Sequence, residues 1–195
     1  MKNGEDFDVI VVGSGASGGW AAKEFCEAGL KVLVIDRGEP TTHKESYTNE
    51  FVEPWDRPFG NQALPGERKK EYGLNSAFVS NLNPHFYAKE KDWPYDKDSK
   101  NPFMWARPGA VGGKSLVWGR QVYRWSDLDF EANKKDGHGI DWPIRYKDIA
   151  PWYSYVEKFI GVQGSYENLP QLPDSEFMPA MELNYAEKIV KKGIE

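Results

Sequence analysis

The sequence predicts an α/β fold: the N-terminal part of a doubly wound, Rossmann-like domain, with long insertions and expected to be incomplete. Three observations predict it. The run FDVIVV, Phe7 to Val12, is apolar after Asp8 and leads into a glycine-rich turn. That turn opens a helix of alternating apolar and charged faces. The helix leads into a second apolar run, Val32 to Ile35, which ends in an acid, Asp36. Strand, helix and strand fit into about 30 residues, the size of a right-handed parallel crossover.

Each element follows from its residues. Phe7–Val12 suits a strand covered on both faces, as in a parallel sheet. Ala16–Glu27 carries Trp20, Ala21, Ala22 and Phe25 at helical spacing, with Lys23, Glu24 and Glu27 on the wet face. Gly29 is a natural helix stop. From Arg37 to Pro102 regular signals are weak, and Pro40, Pro54, Pro58, Pro65, Pro84 and Pro94 punctuate the chain. Long excursions with one short helix or hairpin are expected there, and loops of such length are uncommon unless functional. A second glycine cluster, GAVGGKSLVWG, spans Gly109–Gly119. Ser126–Asn133 reads as a short helix with Ser126 as its cap and Asp127 and Asp129 in its first turn. Tyr146–Ile160 reads as a longer one, with Ile149, Trp152, Tyr153, Val156, Phe159 and Ile160 recurring at helical spacing. Pro151 lies close enough to its start to be tolerated. Gly161–Pro179 is turn-rich, and Leu183–Ile194 begins another helix.

Composition narrows the function classes. Aromatic residues make up 14% of the chain and charged residues 28%, with a mean hydropathy of −0.69. That is too aromatic for disorder and too polar for a membrane protein, and no transmembrane segment is expected. The acidic start MKNGEDFDV does not read as a signal peptide, so a cytoplasmic location is the default expectation. A net charge of −5 argues against nucleic acid as a partner. The single cysteine, Cys26, excludes an internal disulfide and a cysteine-based metal cluster. It is expected on the buried side or flank of the first helix.

The turn GSGASG, Gly13 to Gly18, matches G-x-G-x-x-G in the context that gives the match meaning. Gly13 permits the tight turn out of the strand. Gly15 lets the backbone approach a pyrophosphate, and Gly18 lets the helix pack close to the sheet. The N–H groups of Ala16 and Ser17 open the helix, where its dipole favours an anion. Asp36 stands 18 residues after Gly18. There a carboxylate accepts hydrogen bonds from ribose hydroxyls and disfavours a 2′-phosphate, with Arg37 beside it. The cradle specifies a dinucleotide and leaves NAD and FAD open.

The stretch WARPGAVGGKSLVWGRQVYRWSDLDF, Trp105 to Phe130, follows about 75 residues after the acid. Its paired glycines and serine suggest backbone pressed against a planar or anionic group. Here the chain resembles the GMC (glucose–methanol–choline) oxidoreductases. Arg107, Gly112, Gly113 and Ser115 match that family's Arg-x-x-x-x-Gly-Gly-x-Ser segment. The block DGHGIDWPIRYKDIAPWYSYVEKFIGV, Asp136 to Val162, resembles the bacterial sugar- and polyol-oxidising branch, which includes pyranose oxidase-like and gluconate or sorbitol dehydrogenase-like proteins. Gly139, Asp141, Trp142, Pro143, Ile144, Tyr146, Pro151, Tyr153 and Glu157 fit its recurring phrase.

The resemblance implies an FAD-binding domain. Gly13, Gly15, Ser17 and Gly18 would hold the FAD pyrophosphate, and Asp36 the adenosine ribose. Arg107 would sit near the phosphates. Gly112, Gly113 and Ser115 would run past the flavin, with Trp118 and Gly119 close to its ring. Some relatives tether the flavin through a histidine in the following loop. Lys114–Trp118 contains none, so the FAD is expected to be non-covalent. The implied reaction oxidises a CH–OH group of a sugar or polyol by hydride transfer to flavin, with an electron-acceptor partner. The implied base is a histidine near the family's C-terminus, so no catalytic residue is assigned here. The domains expected are a cradle at 1–38, a loop-rich excursion at 39–104, a second flavin-contacting segment with a helix at 105–162, and the start of a substrate domain at 163–195.

Other residues attract plainer readings. His43, His85 and His138 show no metal spacing, and His138 is assigned to packing. Trp152, Tyr153, Tyr155 and Phe159 read as core, while Trp118 and Trp125 are the aromatics allowed near substrate. The charge runs Lys69–Glu71 and Lys89–Asp92 read as solvated faces. Two alternatives stay open: another FAD- or NAD-dependent oxidoreductase, and a stand-alone, non-catalytic dinucleotide-binding module. Seven of the 8 tryptophans follow the strand–helix–strand unit, which agrees with a chain expected to be part of a larger enzyme.

Overall fold

An apolar run flanked by Asp8 and Gly13 can pair only as far as its backbone is free. In the computed structural model, which describes residues 6–47, 51–57, 65–73, 79, 84–96, 98–101, 103 and 105–195, strand β1 is Val9–Val12. Asp8 stays outside the strand because its carboxylate accepts a hydrogen bond from the Lys31 N–H at 2.8 Å. Helix α1 is Ala16–Glu27 and strand β2 is Val32–Ile35, both with the bounds their patterns predict. Gly29, at φ +84°, turns the chain between them, and its N–H bonds the Cys26 carbonyl. The strands run parallel, Val9 opposite Val32 through Val12 opposite Ile35. This is an α/β nucleotide-binding unit. Residues 1–5 and Pro58 lie outside the described residues.

Two expectations about this unit change. Coverage of β1 on both faces is not found. Val11 is buried against α1, but Ile10 is 61% exposed and Val12 79%. Alternation sends these two to the face opposite α1. Cys26 is exposed, not on a buried flank, because α1 buries none of its residues fully.

The chain divides into two units, Met1–Gly119 and Arg120–Glu195, so the segment read as one block at 105–162 is shared between them. The first unit's excursion holds more structure than one helix or hairpin. It contains α2 (His43–Ser46), α3 (Pro65–Tyr72), and single 3-10 turns at Pro54–Asp56 and Pro84–Phe86. Tyr72, Val79 and Phe86 are buried there, and the Tyr72 hydroxyl donates to the Pro84 carbonyl at 2.8 Å. The two charge runs meet where Lys89 Nζ lies 3.0 Å from Glu71 Oε1, a half-exposed pair.

The second glycine segment is tied on both sides. The Ala88 N–H bonds the Arg107 carbonyl at 2.8 Å, and the Gly109 N–H bonds the Phe86 carbonyl at 2.7 Å. On its other side, the Glu39 N–H bonds the Gly109 carbonyl at 2.8 Å and the Val111 N–H bonds the Glu39 carbonyl at 2.9 Å. Gly38 must be glycine for this contact: a Cβ there would stand 2.5 Å from the Ala110 carbonyl carbon.

In the second unit the predicted helix at Ser126–Asn133 is two short helices, α4 (Asp127–Phe130) and α5 (Ala132–Asp136). Ser126 caps α4 as expected: its hydroxyl accepts from the Leu128 N–H at 3.2 Å, and Asp129 answers from the Ser126 N–H at 2.9 Å. Helix α6 is Tyr146–Ile160, as predicted, with Pro151 inside it. Asp127 accepts from the Tyr146 N–H at 2.7 Å, satisfying one free donor at its start.

The Asp-Trp-Pro-Ile block braces that start. Arg145 donates to Asp141 Oδ2 at 2.7 Å and to the Trp142 carbonyl at 2.5 Å. Trp142 meets Phe130 and Trp125 edge-on, with ring centroids 6.2 and 6.3 Å away. Of the α6 aromatics expected in the core, Trp152, Tyr155 and Phe159 are exposed, at 66%, 40% and 60%, while Tyr153 is half-buried and its hydroxyl accepts from the Trp125 N–H at 3.3 Å. What α6 buries is Glu157, which pairs with Arg124. The turn-rich stretch carries a parallel pair of two-residue strands, β3 (Gln163–Gly164) and β4 (Met178–Pro179). Helix α7 is Tyr185–Ile194, capped by Asn184, whose side-chain oxygen accepts from the Glu187 N–H at 3.0 Å. No helix of the described residues is long and apolar enough to cross a membrane.

Candidate cofactor-binding site

Gly13 sits at φ +92°, a conformation that costs other residues energy. Gly15 is the helix N-cap in extended backbone, and no side chain caps the helix. The first turn of α1 carries no acid. The N–H groups that a helix start cannot satisfy internally are therefore left to an outside acceptor, at the positive end of the helix dipole. Gly18 sets how close the helix comes: a Cβ there would lie 1.8 Å from the Gly13 carbonyl oxygen and 3.4 Å from Val11 Cγ1. At Gly15, by contrast, a Cβ would meet only the Gly112 carbonyl oxygen, at 3.9 Å.

Asp36 organises the turn. Its Oδ2 accepts from both the backbone N–H and the hydroxyl of Ser14, each at 2.7 Å. Its Oδ1 accepts from the Gly38 N–H at 2.7 Å. The Ser14 hydroxyl hydrogen bond, then the two backbone N–H groups, hold the Asp36 carboxyl below its ordinary value, so it is a carboxylate at neutral pH. The Ser14 hydroxyl also accepts from the Gly112 N–H at 2.8 Å, across 98 residues of sequence. Asp36, Ser14 and Gly112 thus bind the two glycine motifs into one site. A carboxylate has about four acceptor positions. Exposed Asp36 keeps acceptor capacity beyond these three bonds.

A cleft of about 510 Å³ opens at the C-terminal ends of β1 and β2, lined by Gly13, Asp36, Arg37, Trp93, Ala110 and Gly113 among others. Its size suits a nucleotide-sized ligand, and its place is where open α/β sheets bind them. Four of the sequence-predicted site residues, Gly13, Asp36, Arg37 and Gly113, come together there. Gly112 (φ +101°) and Gly113 (φ +55°) turn the second segment against the first. A Cβ on Gly113 would stand 3.4 Å from Gly15 Cα. The Ser115 hydroxyl donates to the Gly112 carbonyl at 2.5 Å and fixes that turn.

Other predicted residues do not line the cleft. The Arg107 guanidinium lies 4.8 Å from the centroids of both the Tyr95 and Trp105 rings, which meet edge-on 5.7 Å apart, and it donates to the Trp93 carbonyl. These contacts hold it in the aromatic-rich loop, outside the lining of the cleft. Ala16 and Ser17 are exposed at the start of α1. Trp118 is 44% exposed, and a Cβ on Gly119 would meet nothing. His138 is exposed, not packed. Among the described residues no group of three or more His, Cys, Asp or Glu side chains could hold a metal.

Three contributors went unforeseen: Ser14, Gly38 and Trp93. Ser14 and Gly38 flank motif residues, and their small size was the available signal. Trp93 had none beyond belonging to an aromatic-rich loop.

Residues 8–46 match the family described as FAD binding domain. The cofactor is FAD. The uncapped start of α1 and the spare acceptor capacity of Asp36 fit a ligand that carries an anionic group and hydroxyls. The chain is 25% identical over 183 residues to the fructose dehydrogenase large subunit of Gluconobacter japonicus, covering 91% of this chain and 32% of that protein. It is 24% identical over 169 residues to 2-methyl-1,2-propanediol dehydrogenase of Mycolicibacterium austroafricanum, covering 86% and 26%. It is 24% identical over 172 residues to the gluconate 2-dehydrogenase flavoprotein of Pantoea cypripedii, covering 81% and 26%. The chain spans about a third or less of the length of these curated relatives.

Proposed function

We propose that this chain is the FAD-binding N-terminal portion of an oxidoreductase of GMC type, acting on CH–OH groups of a sugar or polyol. The observation that carries the reading is the joining of the two glycine motifs through Ser14 and Gly112. A cradle alone serves many dinucleotide enzymes. A second glycine segment locked onto it is what the GMC pattern requires. The names of the relatives, dehydrogenases of fructose, a propanediol and gluconate, favour a hydroxyl-bearing substrate.

In this reading the FAD flavin, when bound, supplies the hydride acceptor. The chain's own residues bind and orient. The N–H groups at the start of α1 hold the pyrophosphate, and Asp36 holds the adenosine ribose. Gly112, Gly113 and Ser115 offer backbone without side-chain bulk along the flavin, with Trp118 and Gly119 beside its ring. No catalytic base is assigned to a residue of this chain. A small-molecule alcohol or sugar and an electron acceptor are the partners the reading calls for. The strand–helix–strand unit is the first part of a doubly wound sheet, and the segments 39–104, 105–162 and 163–195 serve as excursion, flavin-contacting segment and start of a substrate region.

Gly15→Ala tests the cradle cleanly. The added Cβ meets nothing closer than 3.9 Å within the protein, so folding should change by about 1 kcal/mol at most, the difference between Gly and Ala at an N-cap. FAD affinity, measured by fluorescence titration, should fall about tenfold or more as the methyl enters the pyrophosphate's place. Wild-type affinity would overturn the cradle. The flavin link is tested by denaturing the holoprotein. With no histidine in Lys114–Trp118, all yellow colour should pass into the filtrate; colour retained on the chain would overturn a non-covalent site.

A further inference from the structure

The hydrogen bonds at Ser14 can run in one direction only. The Gly112 N–H can only donate, and the Ser14 oxygen accepts from it at 2.8 Å. The single Ser14 hydroxyl proton then goes to Asp36 Oδ2, 2.7 Å away. That oxygen also accepts from the Ser14 N–H at 2.7 Å, so both donors of one residue converge on one carboxylate oxygen. An amide that only donates and a carboxylate that only accepts thus fix the order Gly112 to Ser14 to Asp36. Hydrogen bonds chained in one direction polarise one another, and a charged acceptor strengthens them.

The residue in the middle has a task that the glycines cannot perform. Glu39 ties the second segment as far as Val111, whose N–H bonds the Glu39 carbonyl at 2.9 Å. The next N–H, that of Gly112, goes to Ser14. Beyond it the turn closes on itself: the Gly113 N–H bonds the Ala110 carbonyl at 3.0 Å, and the Ser115 N–H bonds the Gly112 carbonyl at 3.2 Å. These bonds set the shape of the turn but not its place. Against the first motif the turn presents bare backbone, since a Cβ on Gly113 would stand 3.4 Å from Gly15 Cα. Glycines allow that approach and cannot lock it. We propose that Ser14 is a positioning residue, whose hydroxyl sets the turn Gly112–Ser115 against the first glycine motif and so anchors the flavin-facing segment on Asp36. The inference rests on the FAD reading and adds to it that the flavin half of the ligand depends on Ser14 while the ADP half does not. Ser14→Ala would keep the backbone bonds that Asp36 accepts from Ser14 and Gly38, and would take away the acceptor of the Gly112 N–H.

Two measurements on the full chain test the role, the first without ligand. Hydrogen exchange at the Gly112 amide, followed by NMR, should be slow in the wild type and about tenfold or more faster in Ser14→Ala, where the donor has lost its acceptor. Ser14→Thr keeps a hydroxyl and should restore the protection. FAD and ADP, which shares every part of FAD but the flavin half, are then titrated calorimetrically. Ser14→Ala should weaken FAD about tenfold and ADP less than about threefold, with FAD affinity recovered in Ser14→Thr. Equal losses for the two ligands would show that the hydroxyl serves their shared half, and would overturn the positioning role while leaving the FAD reading in place. Wild-type FAD affinity in Ser14→Ala would do the same. If Ser14→Ala does not fold, the wild type decides: an unprotected Gly112 amide overturns the role, and a protected one that Ser14→Thr preserves supports it. A wild-type chain that binds neither ligand would overturn the FAD reading and the positioning role together.

Discussion

Gly18→Ala should unfold the cradle that Gly15→Ala leaves standing. The new Cβ would lie 1.8 Å from the Gly13 carbonyl oxygen and 2.9 Å from its carbon. Both are backbone atoms, so no rotamer change can relieve the contact. Either α1 lifts from the turn or the turn itself moves. Lifting α1 separates it from Val11 Cγ1, 3.4 Å from the built Cβ, and uncovers the one residue of β1 that is buried. Overpacking of this kind costs about 1–3 kcal/mol, occasionally more. Contact with fixed backbone puts Gly18→Ala at the top of that range. Gly19→Ala is the internal control. Its Cβ would meet only the Ser14 carbonyl oxygen, at 3.7 Å, and alanine inside a helix gains about 1 kcal/mol over glycine. Urea unfolding should therefore move in opposite directions for these adjacent residues. Gly18→Ala should also lose FAD with its fold. A Gly18→Ala chain as stable as wild type would mean that α1 does not sit on the turn as described.

Residue patterns settled the elements whose causes are local. The bounds of α1 and β2 follow from apolar spacing and from Gly29, and α6 follows from its aliphatic and aromatic repeat. Ser126 and its acids announce α4 for the same reason, since a cap acts within three residues. The site was legible only in part, because its closure is not local. Nothing near Ser14 shows that its hydroxyl will meet the backbone of Gly112. Gly38 looks like a residue after a strand until Ala110 is placed against it. Periodicity gave the bounds of α6 but not the residue it buries. The aromatics of α6 recur as core residues do, yet Trp152 and Phe159 are exposed and the buried residue is an acid. An acid on that apolar stripe, four residues after Tyr153, was the signal of a buried ion pair.

That acid sets the stability of the second unit. Glu157 and Arg124 are 1% and 7% exposed, and Arg124 Nη2 lies 2.5 Å from Glu157 Oε2. The carboxylate also accepts from Arg124 Nε and from the Glu176 N–H, both at 2.9 Å. Arg124 gives its other bonds to the Tyr146 hydroxyl at 2.9 Å and the Ser154 hydroxyl at 3.0 Å. Burial pushes the Glu157 pKa up, but these hydrogen bonds, led by Arg124, outweigh it and hold the group below its ordinary value. Glu157→Gln keeps the shape and removes the charge, so Arg124 stays buried without a counter-ion. Breaking a buried pair from one side costs about 3–5 kcal/mol, whereas replacing both partners by apolar residues is often neutral. Urea unfolding should therefore show a large loss for Glu157→Gln and a much smaller one for Arg124→Met with Glu157→Leu. The pH dependence has a definite sign. The folded carboxylate binds its proton more weakly than the unfolded one, so the pair's contribution is complete above the unfolded value of about 4.3. It is lost as pH falls through the lower folded value. Glu157→Gln should flatten that acid limb, and an unchanged limb would show that the pair does not govern it.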